Sequence, residues 1–484
     1  MKILYVNWAP LWRAAEVGGG VNLYARSMAV KLVDSGHQVF SISSGFAYNF
    51  RPDAYIKKGP DFMGVKNYEI FNAFNLAPGF FNYENPQQDV SEPIVESLFE
   101  KFLKIIKPDI VHFHNIEGFS AACVAIARKS GAKIIYSLHN YHPVCNQIYL
   151  LYRDREICTD FENGKKCLDC ISPPAYPVEV MKRRTGYLVN RLPMGDRVWR
   201  KITAAAKLGV FRYLAGSVGK ISNAVPHTEK KGSGYSRHLL YAKRRKYNIE
   251  ALNNAHLVHA VSSFVKKFYV SQGIQSALVE TCHIGNQMAE IVLNRKFDRS
   301  CASGNKPVAG DQPLKIIFTG LASYPKGLFF FLDTLLSMEK KVLKKIDLYI
   351  YARGVNELKI QLDLLSEQLF SLFVRDGYEY ATLPDILQGK DYGVVPPMWY
   401  DNAPQVVFEM MAMKVPVIGA EIGGIPDFVK DMENGLIFKP GSKKDLAEKI
   451  CLAVEDRDLK MRLVKHIRPM KTPDQHAADL KGFY

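Results

Sequence analysis

Asp401 and Glu409 stand eight positions apart in residues 399–429, WYDNAPQVVFEMMAMKVPVIGAEIGGIPDFV. The acidic residue at 401 precedes a helical pattern whose first turns carry Glu409. Two carboxylates in the N-terminal region of a helix can accept hydrogen bonds from sugar hydroxyls. Gly423 and Gly424, followed by Pro426, put bare backbone N–H groups at a turn into another helix, where phosphate or sugar oxygens can approach closely. Ribose or hexose recognition fits this pattern, and so does a surface helix closed by a Gly-Pro turn. His112, His114 and His139 fall at the carboxyl ends of two apolar strands, where a histidine is more often a hydrogen-bond partner than a catalyst. Just after His139 and His142 come Cys145, Cys158, Cys167 and Cys170, spaced C-x12-C-x8-C-x2-C. One C-x2-C with two outlying cysteines permits a tetrahedral structural zinc, which would pin the irregular loop 149–164. Reduced buried cysteines or a disulfide are the other readings.

The elements that must position these residues follow from periodicity. Residues 2–7 (KILYVN), 38–42 (QVFSI), 109–113 (DIVHF) and 133–138 (KIIYSL) read as buried strands. Glycines 18–20 precede a helical pattern (Tyr24, Met28, Ala29, Leu32, Val33) that ends at Gly36. The pattern lapses from about 145 to 250 and resumes at 255–261 (AHLVHAV). Residues 294–313, rich in Gly, Ser and Pro, read as a linker. A second alternation starts at 315–319 (KIIFT) and runs through 347–351, 393–395 and 415–419. Strand–helix alternation with apolar strands predicts α/β architecture: two doubly wound parallel-sheet domains facing a cleft, with ligands at the carboxyl ends of the strands.

The chain has 484 residues, 48% hydrophobic and 23% charged, with a net charge of +16. Residues 171–250 hold 17 Lys+Arg against 4 Asp+Glu, so +13 of that charge sits in one segment. This argues for a local docking surface rather than bulk nucleic-acid binding, and no nucleic-acid recognition motif is present. The segment contains Lys182, Arg183 and Arg184, then Lys243, Arg244, Arg245 and Lys246. Between them, 195–220 reads as an amphipathic helix with Trp199, Ile202, Ala206, Val210, Tyr213 and Leu214 on one side and Arg197, Arg200, Lys201, Lys207 and Arg212 mainly on the other. That pattern suits an anionic membrane surface, or a helix whose stripe packs on the protein. No apolar run is long enough to span a bilayer, and Asn7, Trp8 and Pro10 interrupt the N-terminus where a signal peptide needs an apolar core. A cytosolic protein is the expectation, and eight cysteines then form no disulfide framework.

On these residues the chain resembles the retaining GT-B glycosyltransferases of glycosyltransferase family 4. Asp401 to Glu409 looks like that family's E-x7-E motif, flanked by matching W-Y-x-N-A-P, P-V-I-G and G-G-I-P. GLASYPKG at 320–327 resembles its G-x5-K-G loop, Gly19-Gly20 its N-terminal glycine loop, and KPDIVHFH at 107–114 its K-P-D-x-V-H-x-H segment. The resemblance implies that 1–293 binds acceptor, with a basic insertion at about 171–250, and that 314–471 binds donor. The terminal helix 472–484 would cross back to the first domain. Glu409 would hold the donor ribose and Asp401 the donor sugar, with Lys326 neutralising the diphosphate of a UDP- or GDP-type sugar. His114 would orient sugar or acceptor, with His112, His139 and Asn140 on the acceptor side. The Gly19-Gly20 and Gly423-Gly424 turns would approach the donor. No metal is then needed for catalysis.

Three positions depart from the family: Asp401 replaces Glu, Leu321 an expected Arg, and Asn140 an Asp. The leading expectation is transfer of a hexose to a membrane-associated, lipid-linked glycan with retention of configuration, by a protein peripheral on the inner face of the cytoplasmic membrane. The alternatives are a soluble acceptor, or a degenerate fold serving as a scaffold or binding subunit.

Overall fold

Most residues of the inner strands are buried on both faces, as sheets covered by helices on either side require. The computed structural model describes residues 1–13, 17–191, 237–294 and 312–484. Its first half contains β1 (Lys2–Val6), β2 (Gln38–Ser44), β3 (Tyr55–Lys58), β4 (Lys66–Phe71), β5 (Ile110–Phe113) and β6 (Lys133–Leu138). A two-residue hairpin, β7 (Leu151–Tyr152) and β8 (Glu156–Ile157), precedes β9 (Leu257–Ala260) and β10 (Val279–Thr281). The main sheet runs β10-β9-β6-β5-β1-β2-β4-β3, parallel except for β3. The second half holds β11 (Leu314–Leu321), β12 (Ile346–Arg353), β13 (Ser371–Arg375), β14 (Tyr392–Val395), β15 (Val417–Ala420) and β16 (Gly435–Phe438), all parallel in the order β13-β12-β11-β14-β15-β16. In each sheet the strand order reverses beside its first strand, which opens a crevice at the carboxyl ends.

The two Rossmann-like α/β domains agree with the sequence reading, and each has its own apolar core. Strands β3, β4, β10, β13 and β16 were not anticipated; β3 and β13 are edge strands of half-exposed residues and lack a buried face to announce them. The terminal helix Pro473–Phe483 opens with a capping box of Thr472 and Gln475. It buries Ala477 and Leu480 in the first core, and Tyr484 reaches the Tyr5 hydroxyl at 3.1 Å. The expected 195–220 helix, and all but the ends of the 294–313 linker, lie outside the described residues.

The expected lapse between 145 and 250 needs correction. The described part holds the β7–β8 hairpin and the helices Tyr176–Val189 and His238–Leu252. Much of its charge is structural. Arg244 is fully buried, with Nε 2.7 Å from Asp89 Oδ2 and Nη2 donating to His142 O at 2.8 Å. Arg245 donates to Val144 O, and Arg183 pairs with Glu179 and donates to Ala77 O. Of the two basic clusters named above, Lys182, Lys243 and Lys246 stay exposed.

Burial pushes the Asp89 carboxyl pKa up, but Arg244 and His142 outweigh it and hold the pKa below the usual range. The stability this pair contributes is therefore present at neutral pH and fades as pH falls through the carboxylate range. Asp89→Ala strands a buried guanidinium and should cost about 3–5 kcal/mol in urea unfolding at pH 7. The double change Asp89→Leu/Arg244→Met should recover most of that loss.

Candidate active site

One wall of the cleft, expected to take the donor, is built where β11 and β14 part. After β11, the 3-10 turn Tyr324–Lys326 ends at Gly327, whose φ of 74° and position both demand glycine. A Cβ there would meet Pro396 O at 1.7 Å. Met398 N–H donates to Pro325 O at 2.9 Å, so the Lys326 turn is fastened to the loop after β14. Lys326 Nζ then lies 2.7 Å from Asp401 Oδ2 and 5.4 Å from the centre of the Trp399 ring.

The Gly423-Gly424 turn lies on the same loop. A Cβ on Gly423 would meet Asp401 O at 2.2 Å, and one on Gly424 would meet Asn402 O at 2.1 Å. Gly424 N–H donates to Asp401 O at 2.8 Å. That N–H is therefore not bare, as the sequence suggested; the pair's visible task is to let two backbones touch. Glu409, on the helix Gln405–Ala412, is buried and hydrogen-bonded to Tyr380, and burial raises its pKa to about 7. Three buried polar atoms here have no partner: Trp399 Nε1, Asn402 Nδ2 and Asn402 Oδ1. The sequence offered both residues only as motif flanks, yet they are among the groups most in need of a ligand.

On the facing wall, the glycine loop enters the helix Gly19–Asp34 through Gly18 (φ 88°) and Gly19 (φ 56°). Gly20 faces Gln405 across the cleft, 3.9 Å from its Cγ to a Cβ position. The start of one glycine-led helix thus meets the start of the helix carrying Glu409. Asn22 supports the loop by donating to Val17 O at 2.9 Å and accepting from Asn7 at 2.7 Å.

The histidines divide. His112 is fully buried, with Nε2 2.8 Å from Ser137 Oγ and Nδ1 2.7 Å from the Tyr484 hydroxyl. Both ring nitrogens are engaged, so His112 is a brace beneath the terminal helix and leaves nothing for an acceptor, which corrects its expected place. His114 Nδ1 lies 3.2 Å from His139 Nε2, while its own Nε2 is buried and unpartnered. Burial, then neighbouring histidines, hold His114 well below its ordinary pKa, and His139 falls to about 3. These rings work as neutral hydrogen-bonding groups.

Asn140 Nδ2 donates to Glu117 Oε1 at 2.8 Å, and Glu117 Oε2 accepts from Gly79 N–H at 2.7 Å. Glu117, a buried carboxylate beside the residue where the family has Asp, escaped the sequence reading because only the fold brings it to Asn140. A cavity of about 720 Å³ opens off the carboxyl ends of β1 and β2, lined by Trp8, Trp12, Phe46, Lys58, Lys182 and Tyr187 among others. The four cysteines lie in the 145–170 loop, whose Tyr149 ring packs edge-on to Trp399 at 4.9 Å.

Comparison with known proteins gives a family model on each half. The Glycosyltransferase Family 4 model matches residues 18–162, and the group 1 glycosyl transferases model matches 304–470. The chain is similar to a putative teichuronic acid biosynthesis glycosyltransferase, TuaC, of Bacillus subtilis (28% identity over 131 residues, 24% of this chain and 33% of that protein). The match thus spans about a third of that relative's length. Among solved structures, sucrose-phosphate synthase from Thermosynechococcus elongatus superposes with a TM-score of 0.59 at 14% identity, covering 100% of this chain and 98% of that one. An Anabaena HepE protein in complex with UDP and glucose gives 0.55 at 13% identity, covering 100% and 99%. With one family model on each side of the cleft and the whole fold shared, the chain belongs to the GT-B glycosyltransferases of the family 4 type.

Proposed function

We propose that the protein moves a hexose from a nucleotide diphosphate sugar to a membrane-associated, lipid-linked glycan, with retention of configuration, in cell-surface polysaccharide assembly. The carrying observation is the Lys326–Asp401 pair at 2.7 Å, set beside unpartnered Trp399 and Asn402 groups and the buried Glu409. An arriving diphosphate takes Lys326 as counter-ion and frees Asp401 to accept a sugar hydroxyl. As the bond from sugar C1 to the phosphate oxygen breaks, Lys326 stabilises the charge that develops on the leaving group. The acceptor oxygen bonds to C1 on the same face and its proton passes to the departing phosphate oxygen, so no protein base is needed. The engaged state of Glu117 and the amide at Asn140 are consistent with that route. His114 Nε2 is free to hydrogen-bond the sugar or acceptor.

The acceptor reading draws on the 720 Å³ cavity, whose aromatic rings suit sugar faces and whose cations suit an anionic group. Its wall includes the helix Tyr176–Val189, which exposes Val178, Met181 and Leu188 beside Lys182. An apolar and cationic helix face at the cavity mouth suits an anionic bilayer. Among the described residues no helix is long and apolar enough to cross a membrane. TuaC's description, a putative glycosyltransferase of teichuronic acid biosynthesis, adds a parallel.

Four measurements test this reading. Lys326→Ala should lower kcat for sugar transfer about a hundredfold or more. Unchanged turnover would remove Lys326 from the transfer step, and no turnover with any UDP- or GDP-sugar would favour the scaffold alternative. Glu409 holds its proton up to about pH 7 in the fold and only to the ordinary carboxylate range when unfolded. Stability should therefore fall as pH rises across that window. Glu409→Gln should remove the fall and gain on the order of 1–3 kcal/mol at pH 8. UDP affinity of the unsubstituted protein should weaken below about pH 7 as Glu409 takes up its proton. Finally, the protein should float with anionic liposomes at low salt, less so at high salt, and less in Met181→Asp/Lys182→Glu. Turnover without flotation under any condition would assign a soluble acceptor.

A further inference from the structure

We propose that Cys145, Cys158, Cys167 and Cys170 bind one structural zinc ion that fastens the 145–170 loop and, through Tyr149, holds Trp399 in the donor wall. The fold gathers these cysteines from separate turns. Cys158 N–H donates to Leu150 O at 2.8 Å, and the Cys170 thiol lies 3.5 Å from Leu151 O, the next carbonyl along. Arg245 links the other two: its Nη2 lies 3.8 Å from Cys167 Sγ, while its Nε donates at 2.9 Å to Val144 O, adjacent to Cys145. All four thiols are free.

Two features of the surroundings point to a metal. The first is Arg245, a largely buried guanidinium stacked on Phe161 at 3.4 Å. Among the described residues it has hydrogen bonds to a carbonyl and a sulfur but no carboxylate partner. A buried cation needs an anion. Four thiolates around Zn²⁺ carry a net charge of −2 after releasing four protons to solvent, and that charge would supply the counter-ion. The second feature is backbone strain. Eleven non-glycine residues have positive φ among those described, and six lie in this loop: Ile148, Leu150, Arg153, Asp154, Glu162 and Asn163. Ile148, at φ 82°, is β-branched, which makes it a true outlier. Such conformations cost about 1–3 kcal/mol each and persist only where the surroundings over-determine them. The two-residue strands β7 and β8 are the loop's only strand pairing.

A tighter donor group exists elsewhere: Cys282, His476 and Asp479 offer ligand atoms within 4.8 Å of one another. That group already has its cation, because Lys471 Nζ lies 2.6 Å from Asp479 and 3.9 Å from Cys282 Sγ. The quartet is more open, and zinc at about 2.3 Å from each sulfur would draw the thiols together. Tyr149 sits between the strained Ile148 and Leu150, so tightening the loop sets its ring against Trp399, over which Lys326 is placed.

The test is elemental analysis of the full chain purified under reducing conditions, with about one zinc per chain expected. Cobalt substitution should give a thiolate-to-metal charge-transfer absorption. Cys167→Ser and Cys170→Ser should lose the metal, while Cys282→Ser and Cys451→Ser keep it. Should the quartet variants fail to fold, alkylation of the unsubstituted protein decides: its quartet thiols should resist modification until a chelator is added. Chelation should also speed tryptic cleavage after Arg153 or Arg155, a readout independent of transferase activity. No zinc even after incubation with the ion, loss of metal in Cys282→Ser, or quartet thiols that alkylate at once would overturn the proposal.

Discussion

Lys326 and Asp401 meet because three loops of the C-terminal half touch backbone to backbone, and glycine is what permits the contact. Gly327 lies against Pro396 O, and Gly423 and Gly424 lie against the carbonyls of Asp401 and Asn402. The approaches, 1.7 to 2.2 Å from an imagined Cβ, are far inside any real contact distance. Adding one methyl at any of these positions would part the loops and, with them, the ion pair. The charge pair is thus a consequence of steric permission at the crevice where β11 and β14 diverge. The unpartnered atoms of Trp399 and Asn402 collect there for the same reason: loops packed this closely leave water little room to satisfy them.

The buried ionisable groups fall into two kinds of environment. Arg244 and Asp89 neutralise each other and also engage His142, so that part of the first domain holds its charge at neutral pH. The histidines beneath the terminal helix do the reverse: His112, His114, His139 and His259 are all held below their ordinary pKa, by burial first. A neutral imidazole can donate on one nitrogen and accept on the other, which suits the chain Ser137–His112–Tyr484 and the contact of Tyr24 with His476. The terminal helix is therefore joined to the first sheet by a polar network without net charge. Such a junction is insensitive to salt and depends on geometry.

How much of this was legible in the sequence depended on the range of the interaction. The alternating strands, the glycine turns, Lys326 and the Asp401–Glu409 spacing are local signals, and the two-domain α/β fold followed from them. Contacts such as Asn140 with Glu117, or Arg244 with Asp89, join residues 23 and 155 positions apart and leave no local trace. The basic segment shows the cost of counting charge without burial. Arg183, Arg244 and Arg245 contribute to its +13, yet each is turned toward carbonyls, carboxylates or sulfur inside the protein. His112 misled for a related reason: both of its ring nitrogens are taken by Ser137 and Tyr484, residues 25 and 372 positions away, while His114 keeps one nitrogen unpartnered.

The donor wall does not stand on its own domain alone. Tyr149 packs on Trp399, Phe264 on Tyr400 at 4.7 Å, and Gly20 faces Gln405. Asp427, which follows the Gly423-Gly424 turn, accepts from Ser263 N–H at 2.6 Å and lies 3.1 Å from His283 Nε2. Burial raises the Asp427 pKa, but these two partners outweigh it and keep the carboxyl low. The contacts arise from separate elements of the first domain, and they land on the loop and the glycine turn that define Asp401. A displacement of any one of those elements therefore bears, through these side chains, on the loops that carry the ion pair. The 720 Å³ cavity opens among the loops of that same first domain, so the two sides of the cleft are tied together by these contacts, with the glycine-packed loop 396–402 as the part they share.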